Sequence, residues 1–269
     1  MSEESPANER PKAPVKRSPL RRLAIGALKI GAVLGAIVVV VLGGSWLNVM
    51  PGGWRVRAAW GSRRADRQIA QFRAEAQTIP AGSVVFLGSS TIEKMPMEKL
   101  WPGAPFVKRG VGAENTLGLL DRLDASLPVA RPAGVVINAG ANDFRADRRE
   151  PSVVVARTAA VVDAVRAKFP GVPITIVEPI AQCTEEPDLV LQLTYASEGL
   201  QLWAKANGFP YVRLNRPPLL TEDGMMRRDL TAGDGKHPNE EAYAIIAKWI
   251  AEDGGEATAS LRAAMASKK

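Results

Sequence analysis

Short runs of apolar, mostly β-branched residues alternate with helical patterns from residue 83 to residue 252. The predicted strands are 83–87, 105–107, 134–138, 174–177 and 210–214, and the predicted helices among and after them are 115–127, 151–168, 187–207 and 239–252. Continuous apolar strands separated by helices are typical of a parallel sheet that is covered on both faces. The pattern predicts an α/β fold, namely a doubly wound (flavodoxin-like) parallel five-stranded sheet with helices on both faces. Ligands of such folds bind beyond the carboxyl ends of the strands.

The N-terminal part of the chain predicts a transmembrane helix that acts as a signal anchor. Residues 23–47 are apolar with Lys29 as the one charged residue, and about 20 apolar residues suffice to cross a bilayer. Basic residues are denser before this stretch than directly after it, which predicts a cytoplasmic N-terminus and a main domain facing the periplasm or another extracytoplasmic space. Residues 1–22 predict a basic, disordered cytoplasmic tail. A cleaved signal peptide, which would leave the domain secreted, is the alternative.

Residues 48–80 predict a basic juxtamembrane stalk. Within it, residues 54–77 have the pattern of a helix, with Ile69, Phe72 and Ala76 at helical spacing and arginines elsewhere. Two interpretations stay open for this helix. It contacts the anionic headgroups of the inner membrane, or it is a solvated connection to the domain.

Charge and composition exclude several classes of function. The net charge of +7 arises from basic residues that crowd 10–22 and 55–73, on either side of the apolar stretch. No helix-turn-helix or stacking platform is visible, so we expect no nucleic-acid partner. The chain has one cysteine, Cys183, and one histidine, His237. This excludes an intrachain disulfide and argues against a zinc site, so we expect no metal.

Four segments that contain polar or glycine residues lie where the chain leaves the predicted strands or enters the last helix. They are Gly88-Ser89-Ser90, Gly110-Val111-Gly112-Ala113, residues 138–143 and Asp234–His237. Each has a simpler explanation, because Ser, Asn and Gly also cap helices and form turns. All four, however, fall at the same edge of the predicted sheet. A phosphate-binding loop is disfavoured because the G-x-x-x-x-G-K-[ST] pattern is absent here.

These segments together resemble the blocks of the SGNH (GDSL-type) hydrolase family, over roughly residues 82–252. Gly88-Ser89-Ser90 is similar to the first block, with Ser90 in the place of the nucleophile. Gly140-Ala141-Asn142-Asp143 matches the G-x-N-D block, and Asp234-Gly235-Lys236-His237 matches the D-x-x-H block. The resemblance defines a hydrolase domain at 81–253, followed by a C-terminal tail at 254–269.

The chain departs from the family pattern at two positions. Ser89 stands where the family name implies Asp, at a position that varies and is not the nucleophile. Ala113 stands where family members usually have glycine. The group required there is a backbone N–H, which alanine also supplies if its φ is not forced positive. Gly112 is the alternative donor.

The resemblance implies ester hydrolysis through an acyl-serine intermediate. Ser90 would be the nucleophile, His237 its general base and Asp234 the residue that orients the imidazole. The oxyanion hole would comprise the Ser90 N–H, the Ala113 or Gly112 N–H and the side-chain amide of Asn142. No cofactor is implied.

The substrate and the acyl acceptor stay open. The expected partner is a small-molecule, lipid or glycan ester, and acyl-chain length depends on loops such as 182–193 and 213–229. Arg216, Arg227 and Arg228 could contact an anionic substrate or be solvated surface residues. A glycan O-acyltransferase or deacetylase acting on envelope polysaccharide is one alternative function. A non-catalytic envelope-binding module on the same fold is another, and the oligomeric state is not predicted.

Overall fold

Five parallel strands form a single sheet in the computed structural model of the chain. They are β1 (Val84–Gly88), β2 (Phe106–Gly110), β3 (Gly134–Asn138), β4 (Ile174–Val177) and β5 (Tyr211–Val212), in the spatial order β2-β1-β3-β4-β5. This order is the flavodoxin-like one, in which the direction of winding reverses between β1 and β3. The prediction of a doubly wound parallel five-stranded sheet is confirmed.

The structure describes residues 53–145 and 149–266, with side chains from Arg63 onward. The predicted tail at 1–22 and the predicted span at 23–47 lie outside these residues. No helix within the described residues is long and apolar enough to cross a membrane. The chain divides into two compact units, Met1–Arg63 and Arg64–Lys269, and the second contains the sheet.

Ten α-helices are found in the described part of the chain. They are α1 (Gly53–Glu75), α2 (Ser90–Lys94), α3 (Met97–Leu100), α4 (Thr116–Asp121), α5 (Leu123–Ser126), α6 (Ala141–Arg145), α7 (Pro151–Lys168), α8 (Pro187–Ala206), α9 (Glu240–Asp253) and α10 (Ala259–Ala266). Two 3-10 turns are added at Arg228–Leu230 and Gly255–Thr258. The single helix predicted at 115–127 is divided at Arg122, whose side chain is buried.

The alternation of side chains along each strand divides the core into two layers. Val84, Phe86 and Val136 point to one face, where α2, α3, α9 and α10 cover them. Val85 and Ile137 point to the other face, where α4, α5, α7 and α8 cover them. Side chains of a strand point alternately to opposite faces, so fully apolar strands require helices on both. Helices therefore cover both faces of the sheet. This leaves the carboxyl ends of the strands as the place where a ligand can bind.

The second half of α1 packs on the edge of the sheet beside β2. Phe72 and Ala76 are buried, and the side-chain amide of Gln68 donates to the Gly110 carbonyl at 2.9 Å. The Arg109 guanidinium lies 4.5 Å from the centre of the Phe72 ring and 2.9 Å from a Glu75 carboxylate oxygen. The apolar spacing at 69, 72 and 76 thus reflects packing on the domain, and residues 64–80 extend it beyond the predicted start at 81.

The predicted C-terminal tail contains ordered helical structure that packs on the domain. Ala257, Thr258 and Leu261 are buried. Gly134 at the start of β3 is required for this packing, since a Cβ at that position would collide with the backbone of Ala257. Within 254–266 the small residues therefore serve close approach to the sheet.

The register of the sheet brings three strand ends to one level. Gly88 at the end of β1 pairs with Gly110 of β2 on one side and with Asn138 of β3 on the other. The loops that follow these strands therefore leave the sheet side by side. The winding reverses between the ends of β1 and β3, and this point is the usual ligand site of the fold.

Candidate active site

A short loop before α9 places Asp234 directly against His237. Asp234 Oδ2 lies 2.6 Å from His237 Nδ1, and Asp234 Oδ1 accepts hydrogen bonds from the backbone N–H groups of Lys236 and His237 at 2.9 and 3.0 Å. Gly235 occupies the left-handed region with φ 64°, which glycine adopts at little cost. The Asp-x-x-His spacing thus folds onto itself, and one carboxylate holds both the turn and the imidazole.

The electrostatics of this loop keep Asp234 ionised. Partial desolvation raises the pKa of the Asp234 carboxyl, but the hydrogen bonds from His237, from the two backbone N–H groups and from Lys94 outweigh it. The net pKa is therefore well below its ordinary value. A depressed carboxyl pKa means that the ionised form persists until the pH falls far below neutral. Asp234 is thus a stable anionic partner for the imidazole at physiological pH.

Ser90 is the first residue of α2, immediately after the turn that leaves β1. The preceding Ser89 makes no capping hydrogen bond with its side chain, so the simpler explanation of this segment as a helix cap does not apply. Ser90 and His237 line the same small pocket, together with residues of the loops after β3 and β4. No hydrogen bond joins the two side chains in the described structure, and in unliganded enzymes such bonds are often long.

Lys94 is a member of the site that the sequence did not indicate. Its ammonium nitrogen lies 2.8 Å from His237 Nδ1 and 3.2 Å from Asp234 Oδ2. Lys94 is the last residue of α2, one turn beyond Ser90. A lysine at the end of a short helix is common on protein surfaces, and nothing in its sequence context connects it with a loop 140 residues away.

Asn142 lies in α6, after β3, and its side-chain amide donates to the backbone carbonyl of Glu114 at 2.9 Å. This bond links the loop after β3 to the loop after β2, one residue beyond Ala113. A primary amide has two N–H donors, so the bond to Glu114 orients the group and leaves a second donor for a ligand.

Asp143, the residue that follows Asn142, is held in place by buried partners. Its side chain is fully buried and accepts hydrogen bonds from the Thr116 N–H and hydroxyl at 2.8 and 2.7 Å. Arg157 of α7 completes the set with an ion pair of 2.6 Å. A buried carboxylate is stable only when it is paired and hydrogen-bonded in this way. The sequence contained Asp143 in the G-x-N-D block, but gave no signal of its partners.

A second buried ion pair stabilises the loop after β2. Glu114 and Arg122 are in contact at 2.6 Å, and Arg122 also donates to the Gly88 carbonyl at 3.1 Å. Desolvation raises the pKa of Glu114, and the hydrogen bond and charge of Arg122 oppose this rise. One guanidinium therefore connects the end of β1 to the loop that carries Ala113.

The backbone of Ala113 has a positive φ, contrary to the condition stated above for an alanine donor. Its φ is 63°, and it is the single non-glycine residue with positive φ in the described chain. The N–H group is retained, but an L-residue in this region is strained by about 1–2 kcal/mol. Gly112 is tightly enclosed by the Glu93 carboxylate, whose Oε2 would lie 2.6 Å from an added Cβ. Position 113 thus has a backbone conformation that favours glycine but is occupied by alanine.

Replacing Ala113 by glycine should stabilise the protein. Relief of the left-handed strain exceeds the extra backbone entropy of glycine, so we expect the free energy of unfolding to rise by about 0.5–1 kcal/mol. Chemical denaturation of both proteins measures the change. The matched control is Ala156→Gly on the exposed side of α7, which should lose about 1 kcal/mol. A loss at both positions would contradict strain at Ala113.

The three arginines considered for an anionic substrate do not line the pocket. Arg216 pairs with Asp253 at 2.9 Å, and Arg227 pairs with Asp229. Arg228 is exposed in the 3-10 turn. Arg145 does line the pocket, where its guanidinium contacts Glu185 at 2.5 Å and the Ile180 carbonyl at 3.0 Å. Arg145 therefore lines the pocket with a charge that Glu185 neutralises.

Comparison with known proteins identifies both sequence and fold relatives. A profile of the GDSL-like lipase/acylhydrolase family matches residues 82–245, more than half of the chain. No protein of curated function matches it. A GDSL-like lipase from Bacteroides thetaiotaomicron is 20% identical with a TM-score of 0.56, over 78% of this chain and 98% of that one.

Two further solved structures have the same fold. A member of the lipolytic G-D-S-L family from Veillonella parvula is 18% identical with a TM-score of 0.53, over 64% of this chain and 97% of that one. The psychrotrophic esterase EstA from Pseudoalteromonas, in a structure inhibited by monoethylphosphonate, is 18% identical with a TM-score of 0.50, over 64% and 96%. At these identities the likeness shows the fold.

Proposed function

The chain belongs to the GDSL-like lipase/acylhydrolase family and is an ester-hydrolysing enzyme, and from this premise we propose that Ser90, His237 and Asp234 are its catalytic triad. The observation that carries the proposal is the shared pocket of Ser90 and His237, with Asp234 bonded to the far nitrogen of the ring. Serine is a weak nucleophile unless an adjacent base activates it. His237 is the one imidazole in the chain.

The reaction would proceed through an acyl-serine intermediate. His237 Nε2 takes the proton of the Ser90 hydroxyl as its oxygen attacks the ester carbonyl, and the imidazolium then returns that proton to the departing alkoxide. Water repeats the sequence on the acyl-enzyme, so that a carboxylic acid leaves and Ser90 regains its proton. Asp234 holds the ring and stabilises the imidazolium without itself taking a proton.

The oxyanion of each tetrahedral intermediate would be stabilised by three N–H donors. These are the backbone N–H of Ser90, the backbone N–H of Ala113 and the second N–H of the Asn142 amide. Gly112 is the alternative to Ala113 for the second backbone donor. Donors that are fixed before the reaction lower its barrier without further reorganisation.

The pocket favours a short acyl group, and we assign the substrate as an acetyl or similarly small ester of a glycan or lipid. The enclosed space beside Ser90 and His237 is about 10 Å³, close to the volume needed for one water molecule. Pro179, Ile180 and Gln182 close it from the loop after β4. A long acyl chain would have to displace this loop or lie on the protein surface.

The proposed location is the extracytoplasmic face of a membrane, with the periplasm as the compartment. The support comes from the sequence alone, namely the apolar stretch at 23–47 and the denser basic residues before it. Inner-membrane lipid would be the partner of that stretch. The substrate would then be an ester of the cell envelope.

A chain-length series tests the small pocket and the nucleophile together. Full-length protein in detergent should hydrolyse nitrophenyl acetate with a kcat/KM at least about tenfold above that for the octanoate, since a longer chain finds no enclosed apolar site. A fluorophosphonate probe should label wild-type protein and fail to label Ser90→Ala. Ser126→Ala, which removes a buried hydroxyl at the end of α5 that accepts from Arg122, serves as the matched control for labelling. A preference for octanoate would contradict the small pocket, and labelling of Ser90→Ala would remove Ser90 from its role.

A further inference from the structure

Two oppositely charged groups lie within hydrogen-bond distance of one nitrogen of the His237 ring and of each other. Nδ1 lies 2.6 Å from Asp234 Oδ2 and 2.8 Å from Lys94 Nζ, and Lys94 Nζ lies 3.2 Å from the same Oδ2. The carboxylate can only accept at neutral pH, and the ammonium can only donate. The role of Nδ1 therefore depends on which neighbour it bonds.

A single ring nitrogen cannot donate to Asp234 and accept from Lys94 at the same time. If Nδ1 carries the proton, it donates to Asp234, and Nε2 has a free lone pair that can accept the Ser90 proton. If Nδ1 accepts from Lys94, the neutral ring carries its proton on Nε2. In that tautomer Nε2 is protonated, so it has no free lone pair and cannot serve as a base. The hydrogen bond at one ring nitrogen thus sets which nitrogen carries the proton.

The charge of Lys94 also opposes the next step. When the ring becomes an imidazolium, a positive charge forms within 2.8 Å of the ammonium nitrogen. Asp234 offsets this repulsion, but its Oδ2 is shared between both cations. Lys94 therefore disfavours the active tautomer before the reaction and the charged ring during it.

We propose that Lys94 is a positioning residue that restrains the general base, and that an anionic group on the substrate relieves the restraint by drawing the ammonium away from Nδ1. The proposal rests on the catalytic role of His237 proposed above. About half of the Lys94 side chain is exposed, at 46%, so it can turn outward without opening the core. Asp234 is its one ion-pair partner in the described structure.

The charges around the pocket indicate which substrates could relieve the restraint. Lys236 lines the pocket beside His237 and has no ion-pair partner within residues 53–145 and 149–266. Lys236 thus lines the pocket, Lys94 lies beside it against Nδ1 of the same ring, and Arg145 is neutralised by Glu185. A carboxylate, phosphate or sulfate on the alcohol part of the ester would bind here. The inferred substrate class is a small acyl ester of an anionic alcohol.

The single histidine makes the tautomer directly measurable. Full-length protein labelled with ¹⁵N only in histidine gives one Nδ1 and one Nε2 signal, which are distinguished by their couplings to the two ring carbon-bound protons. At about pH 8.5, above the ordinary imidazole pKa, wild-type protein should carry a measurable fraction of its proton on Nε2, with the rest on Nδ1 opposite Asp234. Lys94→Met should move that fraction to Nδ1, and Lys94→Arg should keep the wild-type pattern. A wild-type ring protonated only on Nδ1, or an unchanged pattern in Lys94→Met, would overturn the proposal.

Turnover provides the second readout. On neutral phenyl acetate, Lys94→Met should raise kcat by up to about threefold with little change in KM, as expected if at least about a third of the wild-type rings are competent. On anionic 4-acetoxybenzoate the gain should be small, because the substrate already displaces the ammonium. Lys99→Met, which removes an exposed lysine paired with Glu240, should behave as wild type on both. A lower kcat of Lys94→Met on the neutral ester would show that Lys94 supports the base and would overturn the restraint.

These results separate the two proposals. The ring tautomer is read without any turnover, so it stands or falls independently of Ser90. If the fluorophosphonate test excludes Ser90 while Lys94→Met moves the ring proton, the triad assignment fails and the contact between Lys94 and Nδ1 remains. If Ser90 is labelled and the ring proton does not move, the triad stands without the restraint.

Discussion

Replacing His237 by alanine should abolish ester hydrolysis, with a fall in kcat of about 10⁴- to 10⁶-fold. In the proposed mechanism the imidazole takes the Ser90 proton and returns it to the leaving alcohol, and the chain has no second histidine to substitute for it. Asp234 would lose its partner, but its Oδ1 bonds to the two backbone N–H groups would keep the loop folded. The measurement is single-turnover and steady-state hydrolysis of nitrophenyl acetate, with the melting temperature as a check of folding.

The control for this variant lies in the preceding 3-10 turn. Arg228→Ala removes an exposed side chain from the segment that leads to the loop and should leave kcat within about twofold of wild type, as is usual for surface substitutions. Loss of activity in both variants would indicate general damage to the segment. Activity of His237→Ala within tenfold of wild type would remove the imidazole from the mechanism.

Asn142→Ala should lower kcat by about 10²- to 10³-fold while the protein stays folded. Loss of one oxyanion donor raises the barrier by about 3–4 kcal/mol, and the donor in question is the amide N–H that the bond to Glu114 leaves available. KM should change little, because the donor binds the developing oxyanion more strongly than the ester carbonyl. Nitrophenyl acetate again provides the assay, with separate values of kcat and KM.

The same substitution also removes a hydrogen bond, so its effect on stability needs a matched comparison. Asn207→Ala removes an amide that donates to the Trp203 carbonyl at 2.8 Å, at the end of α8. Each variant should lose about 1 kcal/mol of unfolding free energy. Only Asn142→Ala should lose turnover, and wild-type turnover in that variant would exclude the amide from the oxyanion hole.

The strand ends and their polar residues were predictable because both arise from local patterns. The five apolar runs appear as β1 to β5 within a few residues of the predicted limits, since a strand buried on both faces must be apolar throughout. Asp234 and His237 are close because they lie three positions apart in one turn. The bond of 2.6 Å between them is therefore a property of local sequence as much as of the fold.

The partners of these residues were not predictable because they come from distant parts of the chain. Asp143 is held by Thr116 and Arg157, and Lys94 approaches the loop of Asp234 from across the sheet edge. The apolar spacing of Phe72 and Ala76 predicted a helix with one buried face, but spacing does not say what covers that face. The positive φ of Ala113 was likewise hidden, because alanine is compatible with most other backbone conformations.

By itself the sequence determined the layered fold, the edge of the sheet at which polar residues collect, and the pairing of the lone histidine with a neighbouring acid. Hydrophobic periodicity and short-range spacing are enough for these features, because they depend on residues close along the chain. Only the tertiary structure decided that Ser90 and His237 share a pocket with little enclosed space, that Asn142 bonds to the loop after β2, and that Lys94 and Asp234 both lie within hydrogen-bond distance of Nδ1. These contacts join segments that follow different strands. They form only once the register of the sheet has placed those segments side by side.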